Sequence, residues 1–400
     1  MARIIAHIDL NAFFVVCEQI RDPSLAGKPI LIGHEGRSGI VSTCSYEARK
    51  FGCHSGQPMF QAKKLCPQAI VIPGDYEYYQ VMSNSFFSYI RRYTKLVEAA
   101  SIDECYGDFT HVIKKTRDLV SYFHDLQFGL LQELGLQCSI GVSTSKWMAK
   151  MASDMKKPLG LTFVKRANLE QTLYPLPIES FWGIGKKTAP ALRHLGLKTI
   201  GDLAAATARD DPALKRMLGK FYATVKVWVH GGGDDRVDIT PFDPKSIGNS
   251  KTLPADASSW AEVEDTLRCL CDEVAARAKA SRKAGHTITL TVKDTVGGFH
   301  LHSKALTLTY PTSDAALIFE KAKALYRSHY EERFPIRLLG VTLSRLVDPA
   351  REQVQMNLWN YESYEERDKT KLLIAELNRK MKTPMLKRAR EAKKKKEDER

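Results

Sequence analysis

Between Arg3 and Leu10 the chain reads RIIAHIDL, a short, nearly continuous apolar run that predicts a buried strand. LAGKPILIG, ending at Gly33, predicts a second strand, and QCSIGVST at 137–144 a third. Elsewhere the period lengthens. SYEARKFG starts as a helix, GQPMFQAKKLCP carries apolar residues at helical spacing, and VMSNSFFSYIRRYTKLV at 81–97 predicts a longer amphipathic helix. LVSYFHDLQFGLLQELG and KWMAKMASDM add two more, the second stopped by Lys-Pro-Leu-Gly. EAASIDECYGDFT, between these helices, reads as tight and partly extended. Strands and helices mix without strict alternation, which favours α+β over a doubly wound sheet.

From about Leu169 to Asp235 the pattern changes to short helices broken by glycine. GGGDDRVDITPFDPKS, rich in Gly, Asp and Pro, reads as a linker. A self-contained pattern follows: a strand at Ser246–Leu253, a helix at Trp260–Arg282, the strands HTITLTVKD and FHLHSKALTLTY, the helix AALIFEKAKALYRSHY and the strand IRLLGVTLSRL. That β-α-β-β-α-β order predicts a small sheet with helices on one face. Beyond Asp348 the chain is polar and ends in AKKKKEDER, the composition of a mobile, solvated tail.

Composition narrows the class. A chain of 400 residues exceeds one ordinary core, so two to four domains are expected. The net charge of +14 favours a polyanionic partner, nucleic acid ahead of a membrane surface. The start lacks a signal-peptide pattern, and no run of about 18 apolar residues occurs, so a cytoplasmic protein without membrane spans is expected. The eight cysteines form no C-x-x-C pair, which suits reduced thiols and offers no zinc site.

The candidate chemistry lies in carboxylates. Asp9 ends the first strand, and SIDEC places Asp103 and Glu104 side by side. Three carboxylates from two segments suit magnesium, which takes few protein oxygens and leaves positions for phosphates and water. Neighbours along a strand face opposite ways, so Asp103 and Glu104 need a bend or an ion to act together. Taken singly, such aspartates are commonly turn or cap residues. Tyr46 and Arg49 lie one helical turn apart in SYEARK and can face one oxyanion cluster, for which Arg offers a bidentate contact.

HIDLNAFFVVCEQ, VSTCSYEARKFG, SIDECYGDFT and GVSTSKWMAKMASDMKKPLG, in that order, resemble the motifs of Y-family DNA polymerases, over roughly Arg3 to Leu346. The resemblance runs to the bacterial DNA polymerase IV branch, although VVCEQ is also similar to polymerase V catalytic subunits. It implies a right-handed polymerase: a palm from 1–12 and 78–168, fingers from 13–77, a helical thumb from 169–235, a linker from 236–245, a little finger from 246–346 and a tail from 347–400. It implies two magnesium ions held by Asp9 and Asp103, with Glu104 completing the site and the Leu10 carbonyl as a further ligand. It also implies that Tyr46, Arg49 and Lys157 hold the nucleotide phosphates beside Thr43, and that Phe14, after Phe13, is a steric gate against a ribose 2′-hydroxyl. For Arg49 and Lys157 the ordinary alternative is a solvated charge, and for the Phe pair a place in the core. Cys105, Gly107 and the TSK of the palm motif depart from common family residues and leave the carboxylates intact.

FWGIGKKTAPALRHLGLKTIGDL reads as a helix-hairpin-helix in which Gly183 and Gly185 expose backbone N–H groups to DNA phosphates and Lys186 and Lys187 add charge. The alternative is a glycine cap between packed helices. Lys293, Lys304, Arg337 and Arg345 lie on or beside strands of the C-terminal pattern as further phosphate contacts. In the tail, Gln355, Leu358 and Trp359 of QMNLW resemble the peptide by which bacterial family members dock on the sliding clamp, the alternative being two apolar residues that fold back on the body. The expected function is low-fidelity translesion synthesis on primer-template DNA from deoxynucleoside triphosphates by a monomer. The rivals are a noncatalytic DNA-bound scaffold of the same fold and another palm-type enzyme such as a nucleotide cyclase.

Overall fold

The structure, a computed structural model, describes residues 3–114, 116, 118–295, 298–330 and 335–350. The chain packs as two units that divide at Pro244. In chain order the first runs β1 (Ile5–Leu10), α1 (Phe13–Arg21), β2 (Ile30–Ile32), β3 (Thr43–Cys44), α2 (Tyr46–Arg49), α3 (Met59–Leu65), β4 (Ile70–Ile72), α4 (Tyr76–Tyr93), β5 (Val97–Ala99), β6 (Glu104–Asp108), α5 (Leu119–Leu134), β7 (Cys138–Ser143), α6 (Lys146–Asp154) and β8 (Leu161–Phe163). Five short helices follow: α7 (Leu169–Thr172), α8 (Ala189–His194), α9 (Ile200–Ala208), α10 (Pro212–Leu218) and α11 (Phe221–Val229).

β1 is the middle strand of a five-stranded sheet ordered β5-β6-β1-β7-β8, antiparallel to both neighbours. All six of its residues are buried because both faces are covered. Ala6, Ile8 and Leu10 enter a core with Phe86 and Ile90 of α4 and Phe123 and Leu126 of α5. Ile5, His7 and Asp9, on the other face, lie under α6, where Ala149 packs on Ile5. Gly141 of β7 makes that approach feasible: a Cβ there would sit 2.1 Å from the Ala149 carbonyl oxygen and 2.3 Å from the Ser153 nitrogen. Gly107, a departure from the family pattern, has the Phe109 ring where its Cβ would be.

A second sheet, β3-β2-β4, carries α2 and α3 around a small core of Leu31, Val41, Ala48, Met59 and Ala62. α4 begins at Tyr76 rather than Val81, because the Asp75 carboxylate caps the Tyr78 nitrogen, and it ends at Tyr93 rather than Val97, where Thr94 turns extended toward β5. The three-residue strands β4, β5 and β8 were too short to show a period in the sequence. Helices α7 to α11 surround Leu173, Ile178, Leu192, Leu203 and Val225, and Trp147 and Met148 of α6 belong to the same core.

The second unit runs β9 (Ser246–Ala257), α12 (Trp260–Ala280), β10 (Ala284–Asp294), β11 (His300–Thr312), α13 (Ala315–Tyr330) and β12 (Ile336–Val347), the β-α-β-β-α-β order expected. Its sheet order is β11-β10-β12-β9, all antiparallel. Ile288, Leu290 and Val292 alternate toward α12 and α13. The mixture of sheets and helices is α+β throughout. No helix among the described residues is long and apolar enough to cross a membrane. The cysteines are free, and all but Cys269 are buried.

Candidate active site

Asp9 stands at the carboxyl end of β1 and is only 4% exposed. The β1–β6 register pairs Asp9 with Glu104, and directly opposed residues of an antiparallel pair share a face. Asp103 joins them through a bend before β6. The Ser101 hydroxyl donates to the Asp103 carboxylate and accepts from the Asp103 nitrogen, and the Asp103 carbonyl accepts from the Leu10 nitrogen at 3.0 Å. The alternation that separates neighbours on a strand is therefore broken one residue before it would apply. After Leu10 the chain turns through Ala12, at φ 44°, into α1, which carries Phe13 and Phe14.

Two ammonium groups, one of them unforeseen, stand over these carboxylates. Lys150 of α6 reaches Asp9 Oδ2 at 3.0 Å and Glu104 Oε1 at 2.9 Å, and Lys157 reaches Asp9 Oδ2 at 2.7 Å. Asp154 pairs with both, at 3.4 and 2.7 Å. The i,i+4 spacing of Lys150 and Asp154 and the i,i+3 spacing of Asp154 and Lys157 signalled one shared face. Asn11 fixes the segment after Lys157: its side-chain oxygen accepts from the Leu159 nitrogen at 2.8 Å, and its amide donates to Ser139 Oγ at 2.9 Å.

Burial and a hydrogen bond shared with Glu104 push the Asp9 carboxyl up to about 7. Burial also raises Asp103, against the Ser101 hydrogen bond. Burial opposes ionisation of Glu104 too, but His7, Asp9 and Lys150 outweigh it and hold Glu104 well below the usual carboxylate range. Lys150 and Lys157 are raised: burial works against their charge, and the carboxylates around them prevail. Hard oxygen donors gathered from two segments and a buried carboxyl driven toward protonation fit a divalent cation such as magnesium.

The same cleft, of about 240 Å³, is lined by Asp9, Leu10, Phe13, Phe14, Thr43, Tyr46, Arg49, Asp103, Glu104 and Lys157. Every residue that the sequence suggested for metal or nucleotide therefore faces one space. Asn11, Ser42 and Ser55 line it too, unforeseen because polar residues in loops carry no period. Ser45 caps α2 by accepting from the Ala48 nitrogen, which orients Tyr46 and Arg49. The Arg49 guanidinium lies 4.6 Å over the Tyr46 ring, and its Nε donates to the Cys44 carbonyl. Phe13 is buried, whereas Phe14 is half-buried at the cleft with its ring stacked on Tyr79 at 4.3 Å and 12°. Tyr79, also unforeseen, donates its hydroxyl to Glu18 at 2.7 Å.

Gly183 and Gly185 lie in an exposed turn between a 3-10 turn at Ile178–Ser180 and α8, with Lys186 and Lys187 exposed beside them. Gly183 has φ 101°, and a Cβ would meet the Phe221 ring at 2.6 Å, so tight packing accounts for that glycine. In the second unit the four basic residues do not share a face. Lys304 opposes core-facing Leu290, whereas Lys293 opposes Leu301 and Leu338 on the other side. Arg337 is paired with Asp256 at 2.7 Å, and Arg345, exposed with φ 52°, has no partner in the β10–β12 register between Ser344 and Leu346. Gln355, Leu358 and Trp359 lie outside the described residues.

Known proteins resemble this chain along most of its length. Residues 8–154 match the impB/mucB/samB family, 166–197 the helix-hairpin-helix motif of that family and 244–358 its C-terminal domain. The chain is similar to DNA polymerase IV of Bacillus velezensis, 38% identical over 94% of this chain and 90% of that one. It is similar also to DNA polymerase IV 1 of Bacillus subtilis, 36% identical over 98% and 94%. Among solved structures, a Y-family DNA polymerase chimera superimposes with a TM-score of 0.75 over 86% of this chain and 99% of its own at 23% identity, a likeness of fold.

Proposed function

The chain belongs to the Y family of DNA polymerases, of the DNA polymerase IV kind, and from that premise we propose that it performs low-fidelity translesion synthesis by a two-metal mechanism at Asp9, Asp103 and Glu104. As a DNA-directed DNA polymerase it takes primer-template DNA and deoxynucleoside triphosphates, and divalent-metal dependence is general in the family. The observation that carries the finer reading is the single cleft joining the three carboxylates to Tyr46, Arg49, Lys157 and Phe14.

Asp9, Asp103 and Glu104, with the Leu10 carbonyl, would hold the magnesium ions, which would supply Lewis acidity and charge neutralisation for the displacement of pyrophosphate from the α-phosphate by the primer 3′ oxygen. Arg49 and the Tyr46 hydroxyl, on one turn of α2, bind and orient the outer phosphates, and Thr43 adds a hydroxyl at the edge of β3. Lys157, which balances Asp9 here, turns its charge to the triphosphate. Phe14 closes the floor under the sugar, where its ring excludes a 2′-hydroxyl, and Phe13 holds α1 to the core.

We assign the five-stranded sheet to the palm (1–12 and 78–168), the small sheet to the fingers (13–77), the short helices to the thumb (169–235) and the second unit to the little finger. Gly183, Gly185, Lys186 and Lys187 serve as a backbone-phosphate contact on DNA, and Lys293, Lys304 and Arg345 as further charge. Arg337, held by Asp256, contributes least. The protein works as a cytoplasmic monomer tethered by the clamp.

Primer extension with Asp103→Ala and Glu104→Ala tests the reading. Both variants should lose extension while primer-template affinity stays within a few fold, and near-normal extension by either removes the two-metal assignment. Comparison of intact and abasic templates tests the translesion part: a stop opposite every abasic site rejects it.

A further inference from the structure

α5 buries Phe123, Leu126, Gln127 and Leu130, the i, i+3, i+4, i+7 face of a helix. Three of these enter the palm core and the fourth is an amide, and a polar group in such a stripe needs partners. Gln127 has two. Its Nε2 donates to the Cys138 carbonyl at 2.6 Å and to the Leu159 carbonyl at 3.1 Å. Both acceptors lie just ahead of the β7–β8 pairing, which starts at Ile140 and Leu161, so the amide bridges the two segments where the strands have not yet met. Two carbonyls match the two hydrogens of an –NH2 group, and a carboxylate in its place would repel both.

Leu159 is the residue so held. Its φ of 60° lies in the left-handed region, which costs a leucine free energy, and its side chain is 42% exposed and gains little from burial. Hydrogen bonds grip its backbone on both sides: the nitrogen donates to Asn11 Oδ1 at 2.8 Å, and the carbonyl accepts from Gln127. Gly160 completes a turn so tight that a Cβ there would lie 1.9 Å from the Lys156 carbonyl oxygen. Lys157 sits inside this turn, two residues before Leu159. We propose that Gln127, opposite Asn11, is a positioning residue for Lys157: by fixing Leu159 it sets the backbone from which the Lys157 ammonium reaches the outer phosphates of the incoming nucleotide. The inference rests on the phosphate role given to Lys157 above. That ammonium lies 2.7 Å from Asp9 and from Asp154, and it must turn from them to the triphosphate. From a fixed root only the side chain has to move. A loose turn holds the ammonium within reach for a fraction of the time, and apparent affinity falls by that fraction. Gln127 does not line the cleft, so it acts through the turn alone.

The test uses the full chain with Gln127→Met, which keeps side-chain length and removes the amide, with Lys157→Ala, and with the double variant. Single-turnover extension across a nucleotide titration gives nucleotide Kd and maximal rate separately, and thermal melting gives the folded fraction. Gln127→Met should raise nucleotide Kd by about 5- to 10-fold, with maximal rate and primer-template Kd within about twofold of wild type, the pattern of lost ground-state binding. Lys157→Ala should raise Kd at least as far, and the double variant should match Lys157→Ala alone, because Gln127 acts only through that ammonium. An unchanged Kd in Gln127→Met, or losses that add in the double variant, overturns the proposal and leaves Lys157 in its role. A normal Kd in Lys157→Ala overturns the phosphate role itself, and the proposal with it. If Gln127→Met does not fold, Gln127→Asn, one methylene too short to span both carbonyls, enters the same cycle and is judged by the same outcomes. Amide exchange of the wild-type protein supplies a measurement that needs no variant: the Leu159 N–H should be protected although it lies outside any helix or strand, and fast exchange there rejects the grip on the turn.

Discussion

Phe14 stacks on Tyr79 at 4.3 Å and meets the edge of Tyr76 at 5.6 Å, so its ring is held by neighbours rather than by the cleft it faces. A side chain so fixed can discriminate by shape, because it cannot swing away cheaply from an added hydroxyl. Phe14→Ala should raise ribonucleotide incorporation relative to deoxynucleotide by about two orders of magnitude or more, a change of about 3 kcal/mol in differential barrier. Paired kcat/KM values for a nucleotide and its ribose form check this, and an unchanged ratio makes Phe14 a core residue only. Tyr46→Phe should weaken nucleotide binding through loss of one hydroxyl, with a rise in KM of about 5- to 10-fold, as for a single hydrogen bond of about 1 kcal/mol. Steady-state KM for the incoming nucleotide measures it. At this scale the sequence was informative. Asp9, Asp103, Glu104, Tyr46, Arg49 and Lys157 were legible as residue types in ordered motifs, and all face one cleft. Lys150 and His7 were not, because a lysine on a helix and a histidine in a strand look like an ordinary surface charge and an ordinary core residue until their partners are in place.

At the scale of elements, the site depends on two close contacts. One is the seat of α6 on β7 at Gly141, which delivers Lys150 and Ser153 to the carboxylates. Gly141→Ala forces the helix outward and should destabilise the protein by about 1–3 kcal/mol, the usual cost of overpacking. Extension should fall further than the loss of folded protein explains. Thermal melting and specific activity of the folded fraction separate the two, and a variant with normal activity would show that α6 need not sit so close. The other is the cap of α2. Ser45 Oγ accepts from the Ala48 and Ile30 nitrogens, at 3.2 and 3.0 Å, and sits 3.1 Å from the Lys28 carbonyl. Removing a cap costs about 1 kcal/mol, so Ser45→Ala should loosen α2 and raise nucleotide KM with little change in DNA affinity. A normal KM would mean that Tyr46 and Arg49 are held by other contacts. The long elements were readable from their periods. The three-residue strands β4, β5 and β8 were not, since so few residues show no period, and α4 started earlier than its apolar stripe because a cap at Asp75 set the boundary.

For the whole molecule, the surplus of 14 positive charges sets the response to salt. Primer-template affinity should fall steeply with ionic strength, with log K against log[salt] a straight line of slope about −0.9 per phosphate neutralised. A flat dependence would remove the phosphate-contact reading of Lys186 and Lys187. The tail gives a separate prediction from sequence: changing Leu358 and Trp359 to Ala should spare extension on a short primer and abolish stimulation by the bacterial clamp on a closed template, where tethering raises local concentration. Loss of basal extension would mean that the segment packs on the body. Sequence alone determined the β-α-β-β-α-β order of the second unit and the residue types of the site, because periodicity and ordered motifs are properties of neighbours along the chain. Tertiary structure alone decided which cations face which carboxylates. The pairing of Asp9 with Glu104 is a strand register, the place of Lys150 follows from a helix seated on a glycine, and the opposite faces of Lys293 and Lys304 follow from strand pairing. Each is set by a contact between segments far apart in sequence, and electrostatics acts through distance in space, which no local pattern of residues specifies.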